Sequence, residues 1–203
     1  AVTNGRGGLG TILVRGAGDG RVGGYDVNAD SWGNDTQQII VAAVTETGTV
    51  TSYSSHGAPI LVSAFGSNGS ILTSDRVGSS GLAPGDVTTG FKGTDAAAAM
   101  VAGVVDLMLE ANPGLSWRDV QTILANSARH TGSDIGTAHS GFERTNWGWN
   151  NAATWNGGGL HFSSDYGYGL VDARAAVRMA ESWFSAGATA TTAQISSTMF
   201  MAG

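Results

Sequence analysis

The run of small apolar residues from 95 to 111 constrains the fold of this chain more than any other feature. Alanine, valine, leucine and methionine occupy most of its positions, and Asn112-Pro113-Gly114 ends it. A helix that is apolar on nearly every side is expected at the centre of a domain. The sequence therefore predicts a central buried helix, in which Asp106 would need a partner, a proton or an interface.

Three short apolar runs precede this helix and show little alternation of polar and apolar residues. They cover residues 11–14, 39–45 and 60–63, and Gly16-Ala17-Gly18 follows the first as a tight turn. Runs of this kind are typical of parallel strands in a sheet that is covered on both faces. Together with the central helix they predict an α/β fold, and residues 71–75 and 87–91 predict a β-hairpin beside it.

The rest of the chain predicts two more helices, an irregular segment and a tail. Ser116 caps the first helix, with Asp119 three residues later, and the second helix begins near Asp172. Residues 130–166 are rich in Trp, Asn and Gly and predict a long ordered surface segment that is held by aromatic packing. The Ala/Thr/Ser-rich residues 185–203 predict a tail or linker, so the folded unit is expected to span residues 1–184.

Composition and charge exclude several classes of function. The net charge of -6 argues against nucleic acid as the main partner. The chain has no cysteine, which excludes disulfides and thiolate metal sites. No apolar run reaches the roughly 18 residues that a membrane-spanning helix needs, so no membrane span is predicted.

An ordered set of segments resembles the subtilisin-like serine proteases, and in particular their kexin/furin branch. The segments are Ala17-Gly18-Asp19-Gly20, Tyr53-Ser54-Ser55-His56-Gly57, Gly93-Thr94-Asp95-Ala96-Ala97-Ala98-Ala99, Leu109 to Gln121 and Tyr166 to Ala173. The resemblance implies a subtilisin-like three-layer fold with a mostly parallel sheet. It also implies a partial domain that lacks the N-terminal half, where the family carries the aspartate and histidine of its catalytic triad.

The same resemblance implies partners and a location. The expected partner is the N-terminal half of the same peptidase domain or another protein chain, with a peptide as substrate if the protein is active. The expected location is extracellular, periplasmic or at the cell surface. His56, His130, His139 and His161 match none of the family's histidine motifs and are expected to have ordinary structural roles.

Two carboxylates stand at positions where the family carries its catalytic groups. Asp95 takes the place of the nucleophilic serine, and a carboxylate cannot be activated by a histidine base as a hydroxyl is. Asp19 takes the place of the asparagine that donates to the oxyanion, a donor whose loss costs about 10²–10³ in rate. The structural alternative for Asp95 is a helix N-cap. The resemblance also assigns Gly93 and Thr94 to substrate binding.

The stretch Asp26-Val27-Asn28-Ala29-Asp30 resembles the kexin-type segment that holds calcium ligands and lines the pocket for basic side chains. By this resemblance Asp30 is the substrate-binding pocket aspartate, and Asp26 and Asp30 are candidate calcium ligands. Tyr25 stands where the family has one ligand, and Ser55 stands where it has a glutamate. The alternative role for Asp30 is to form a turn, which aspartate does without a ligand.

Three hypotheses for function follow. The first is a catalytically inactive subtilisin/kexin-like domain fragment that is retained as a binding or structural module. The second is an active secreted serine endopeptidase that cleaves after basic residues, with the triad aspartate and histidine on a separate segment and Asp95 an altered residue. The third is a non-proteolytic carboxylate or metal site built from Asp19 and Asp95.

Overall fold

A parallel three-stranded sheet forms the centre of the fold. The computed structural model describes residues 1–67, 71–149 and 160–184. Strands β1 (Leu13–Gly16), β2 (Gln38–Val44) and β3 (Ile60–Phe65) lie side by side in that order, and both pairs are parallel. Every residue of β2 except the first is buried. The predicted α/β fold with a parallel sheet is therefore confirmed.

Three helices pack together with one face of this sheet. They are α1 (Thr94–Ala111), α2 (Trp117–Ser127) and α3 (Ala173–Glu181), close to the predicted positions. Alternate residues of β2, such as Ile39 and Val41, join all three helices in one hydrophobic cluster. The opposite face of the sheet carries a smaller cluster to which loop residues Ala17 and Val27 contribute. Both faces of β2 are thus covered, as its continuous apolar sequence requires.

The predicted N-terminus of α2 is confirmed in detail. The Asp119 amide donates to the Ser116 hydroxyl, and the Ser116 amide donates to the Asp119 carboxylate at 2.7 Å, which is a complete capping box. Asp119 is fully buried and also accepts a hydrogen bond from the indole of Trp183 at 2.9 Å. The capping aspartate of α2 therefore also fixes the chain just after α3.

The predicted central helix α1 packs in the main core, but it is buried along one side only. Its inward side chains include Val101, Val105 and Met108, and these are at most 3% exposed. Residues three or four positions apart nevertheless form an exposed stripe along the helix, namely Asp95, Ala99, Gly103, Asp106, Leu107 and Glu110. Asp106 therefore carries no burial cost in this chain. An apolar residue in a helix sequence therefore does not by itself show that the described part of the chain covers that face of the helix.

Two short hairpins complete the described structure. The predicted hairpin is confirmed as β4 (Thr73–Ser74) and β5 (Val87–Thr88). A second hairpin, β6 (Gly148–Trp149) and β7 (His161–Phe162), lies within the segment that the sequence predicts as irregular. The predicted aromatic packing is confirmed by Trp147, which is 2% exposed and stacks on Tyr166 at a ring distance of 5.3 Å. The predicted tail at 185–203 lies outside the described residues.

Candidate functional site

The carboxyl end of β1 meets the N-terminus of α1. Gly16 closes the strand so near to α1 that a Cβ there would lie 2.7 Å from the carbonyl carbon of Thr94. The amide of Gly18 donates to the buried hydroxyl of Thr94 at 3.0 Å. The turn that matches the family's oxyanion segment and the helix that matches its nucleophile segment are therefore in direct contact.

Asp19, which follows this turn in sequence, caps the N-terminus of α1 with its side chain. The amide of Thr94 donates to Asp19 Oδ1 at 2.9 Å. Gly93 occupies the N-cap position with φ of 104°, and it has no side chain that could cap the helix. A Cβ on Gly93 would lie 2.6 Å from Asp19 Oδ2, so glycine is needed both for this backbone conformation and for the close approach.

Asp95 does not cap the helix, so this expectation is wrong. It is an exposed residue of the first turn of α1, one position after Thr94. Its charge is still favourable near the positive end of the helix dipole. Asp19, a residue 75 positions away in sequence, instead accepts one of the orphan amides at the start of α1, that of Thr94.

The arrangement of these two carboxylates bears directly on chemistry. Position 95 offers no hydroxyl or thiol, and Asp19 acts as an acceptor where the family uses a donor. Across the described residues, no group of three or more His, Asp or Glu side chains could hold a metal ion. The hypothesis of a metal site at Asp19 and Asp95 therefore gains no third ligand from the described part of the chain.

Ser55 and Arg21 hold the turn around Asp19, and neither role is evident from the sequence motifs. The amide of Ser55 donates to the carbonyl of Gly18 at 2.8 Å, and the Ser55 hydroxyl accepts from the amide of Gly20 at 3.1 Å. Arg21 forms an ion pair of 2.6 Å with Asp165, and both side chains are buried. In sequence, Ser55 was visible only as a departure from the expected glutamate, and nothing linked Arg21 to Asp165.

The other oxygen of the Asp165 carboxylate accepts hydrogen bonds from the backbone. Asp165 Oδ2 accepts the amides of Arg144 and Thr145 at 2.7 and 2.9 Å, while Arg21 Nη1 donates to the carbonyl of Phe142 at 2.6 Å. A buried ion pair is tolerated only where such hydrogen bonds complete it. This pair therefore joins the turn that carries Asp19 to residues 142–145, which precede β6, and to Asp165, which follows β7.

The loop from 25 to 35 places Asp26 and Asp30 beside the same turn. Asp26 Oδ1 accepts the amide and the side-chain nitrogen of Asn28, at 2.9 and 2.7 Å. Asp30 Oδ1 accepts the amide of Trp32 at 3.0 Å, which is the turn-forming role named as its alternative. Asp30 Oδ2 pairs with Arg15 Nη2 at 2.9 Å.

These contacts set the ionisation of the loop and its fit to calcium. The Trp32 amide is the main reason that the pKa of Asp30 lies below its usual value, and the Tyr25 hydroxyl and the charge of Arg15 contribute in the same direction. The Asn28 amide lowers the pKa of Asp26. Calcium needs six to eight oxygen ligands, and here Asp26 and Asp30 already have partners within the chain. The residues present fit the ion poorly, and the calcium site stays a prediction.

Two of the four histidines belong to the aromatic cluster rather than to a catalytic arrangement. The rings of His130 and His161 lie 4.8 and 5.3 Å from the Trp147 ring. Burial, and then the nearby His130, hold the pKa of His161 below its usual value. Their ordinary structural role agrees with the expectation from sequence.

The parallel sheet and the helices packed on it place this protein in the α/β class. Its candidate site lies between the carboxyl end of β1 and the start of α1. Residues 1–169 match the profile of the subtilase family, Peptidase S8, and the chain belongs to that family. It is 33% identical to furin-1 of Xenopus laevis over 92% of its length. It is 34% identical to proprotein convertase subtilisin/kexin type 4 of Homo sapiens over 90% of its length. The expected kexin/furin resemblance is confirmed.

Solved structures show the same fold. The serine protease of Aeromonas sobria superposes with a TM-score of 0.71 at 24% identity, over 90% of this chain and 38% of that one. The chain spans only 22% of the length of furin-1 and of the human convertase. It therefore corresponds to a part of a subtilisin-like domain. None of the helices in the described residues is long and apolar enough to cross a membrane.

Proposed function

We propose that this chain is a catalytically inactive part of a subtilase domain that serves as a binding or structural module. One observation carries the proposal: the side chain at the nucleophile position is an exposed carboxylate, Asp95, and the side chain at the oxyanion position, Asp19, accepts the amide of Thr94. An ionised Asp19 cannot donate to an oxyanion and would repel it. Both substitutions therefore oppose acyl transfer while leaving the fold around them intact.

The partner in this proposal is the N-terminal half of the same kind of peptidase domain. Within the described residues, β1 pairs only with β2, so its other edge is open to a further strand. The exposed stripe of α1 includes small and apolar residues, among them Ala99 and Leu107. A complementary half-domain would cover both features. We place the assembly outside the cell or at its surface, in keeping with the resemblance to the kexin/furin branch.

Fluorophosphonate labelling of the purified native protein tests the proposal. This reagent modifies activated serines, and mass spectrometry of the peptide from Gly93 to Arg118 reads position 95 directly. We expect an unmodified peptide whose mass confirms Asp95, and no turnover of an arginine-containing peptide substrate. A label at position 95, or robust turnover by protein with Asp95 confirmed, would contradict the proposal.

A further inference from the structure

Arg15 reaches from the end of β1 into the loop that carries Asp30. Its Nη2 lies 2.9 Å from Asp30 Oδ2. The Asp30 side chain is only 16% exposed and the Arg15 side chain 42%, so the pair is half-sheltered from solvent. The Tyr25 hydroxyl also faces Asp30 and helps to lower the pKa of this carboxyl. Three segments of chain thus converge on one carboxylate.

The charge around Asp30 is balanced within the chain. An arginine is charged at any working pH, and its planar guanidinium suits a carboxylate. Arg15 Nη1 is buried and has no hydrogen-bond partner among the described residues, so a polar group is left unsatisfied where Arg15 pairs with Asp30. The nearby Asp26 carboxylate accepts two hydrogen bonds from Asn28. The Asp26 and Asp30 carboxylates therefore offer little uncompensated negative charge to an external cation.

We infer that Arg15 is a built-in counter-cation that occupies the place on Asp30 where a metal ion or a basic side chain of a peptide would otherwise bind. This inference rests on the proposed binding role and on the resemblance of residues 26–30 to a kexin-type pocket: a peptide bound at this site is not selected for arginine or lysine at Asp30. Arg15 is the residue that determines this specificity. It also locks the 25–35 loop onto β1 without a dissociable ion.

Competition between a tethered and a free cation favours Arg15. A group tethered nearby has an effective concentration in the millimolar range or above, so a free ligand must exceed that concentration to displace it. A single carboxylate–cation pair near the surface strengthens binding by a factor of about five at most. An external calcium ion or a basic side chain would therefore not displace Arg15 through Asp30 alone.

Binding of calcium and of the fluorescent amidinium p-aminobenzamidine to the full chain tests this inference. The variants are Arg15→Met, Asp30→Asn and the double variant Arg15→Met with Asp30→Asn. Arg178→Met is the matched control, because Arg178 pairs with Glu181 at 2.6 Å on the exposed surface of α3, away from the loop. Circular dichroism and urea unfolding establish that each variant is folded before it is titrated.

We expect no Asp30-dependent binding of either cation to the unaltered chain or to Arg178→Met. Arg15→Met is expected to bind p-aminobenzamidine up to about fivefold more tightly than the unaltered chain, and the double variant is expected to lose this gain. The inference would be overturned if the unaltered chain bound calcium or p-aminobenzamidine and Asp30→Asn abolished that binding. For this outcome, Asp30→Asn is the only variant that has to fold. A folded Arg15→Met that binds neither cation better would overturn it too. Fluorophosphonate labelling is independent of these titrations, so either proposal can fail alone.

Discussion

At the scale of the residue, the carboxylate that stabilises α1 is Asp19 rather than Asp95. Asp19→Ala removes the acceptor of the Thr94 amide and is expected to lower the free energy of unfolding by about 0.5–2 kcal/mol. Asp95→Ala removes only a favourable charge in the first turn and is expected to cost less. Asp19→Asn keeps an acceptor oxygen and is expected to remain close to the unaltered protein. Urea unfolding of the three variants measures the order.

The order of the three variants separates capping from charge. If Asp95→Ala were the most destabilising, the helix would be capped by its own first turn, and the assignment of Asp19 would be incorrect. If Asp19→Asn were as costly as Asp19→Ala, the negative charge rather than the hydrogen bond would be the source of stability. The expected result is a clear loss for Asp19→Ala alone.

The contacts of the candidate-site residues were not predictable from the sequence. The motifs assigned Asp19 and Asp95 to two catalytic positions of the family, and this assignment stays a prediction. They could not show that Thr94 N–H would point at Asp19, because this contact depends on the φ of Gly93 and on the packing of Gly16 against Thr94. Contacts between distant segments, such as Arg21 with Asp165, leave no local signal in one sequence.

At the scale of the element, local rules predicted helices and strands where the signal was strong. The Ser116–Asp119 capping box gave the start of α2, and the apolar runs gave the three parallel strands. Strands β6 and β7 were missed because neither lies in a β-rich run of the kind that predicted β4 and β5, which are equally short. The burial of α1 was overestimated because apolar composition alone does not reveal which segments cover a helix.

The aromatic cluster beside β7 predicts a pH dependence of stability. The folded state holds the pKa of His161 below its usual value, so below about pH 6.5 the unfolded chain binds more protons than the folded chain. Stability from this group is therefore fully present above about pH 6.5 and falls as the pH decreases. We expect the urea midpoint to decline between pH 7.5 and 5. This decline should be weaker in His161→Gln.

His139 provides the matched control for this prediction, since it is an exposed histidine outside the cluster. His139→Gln is expected to follow the same pH profile as the unaltered chain. An equal slope in the unaltered chain and in His161→Gln would show that protonation of His161 does not oppose folding. The half-buried ring would then have to keep its ordinary affinity for protons within the cluster.

At the scale of the whole molecule, two features of the described residues are left uncovered. β1 pairs with β2 on one edge alone, and α1 carries an exposed stripe on the side away from the core. Its relatives in the subtilase family extend well beyond the matched region, since the chain spans 38% of the solved Aeromonas sobria protease. Together these features favour a role in association.

The exposed stripe gives a direct test of this view through two neighbouring residues of α1. Leu107 is 50% exposed, whereas Met108 is fully buried in the main cluster. We expect Leu107→Lys to change the free energy of unfolding by no more than about 0.5 kcal/mol, because its side chain already meets solvent. Met108→Lys should prevent stable folding, because it places an unpaired charge in the core. If urea unfolding showed Leu107→Lys to be as destabilising as Met108→Lys, the stripe would be part of the chain's own core, and the proposed partner surface on α1 would be lost.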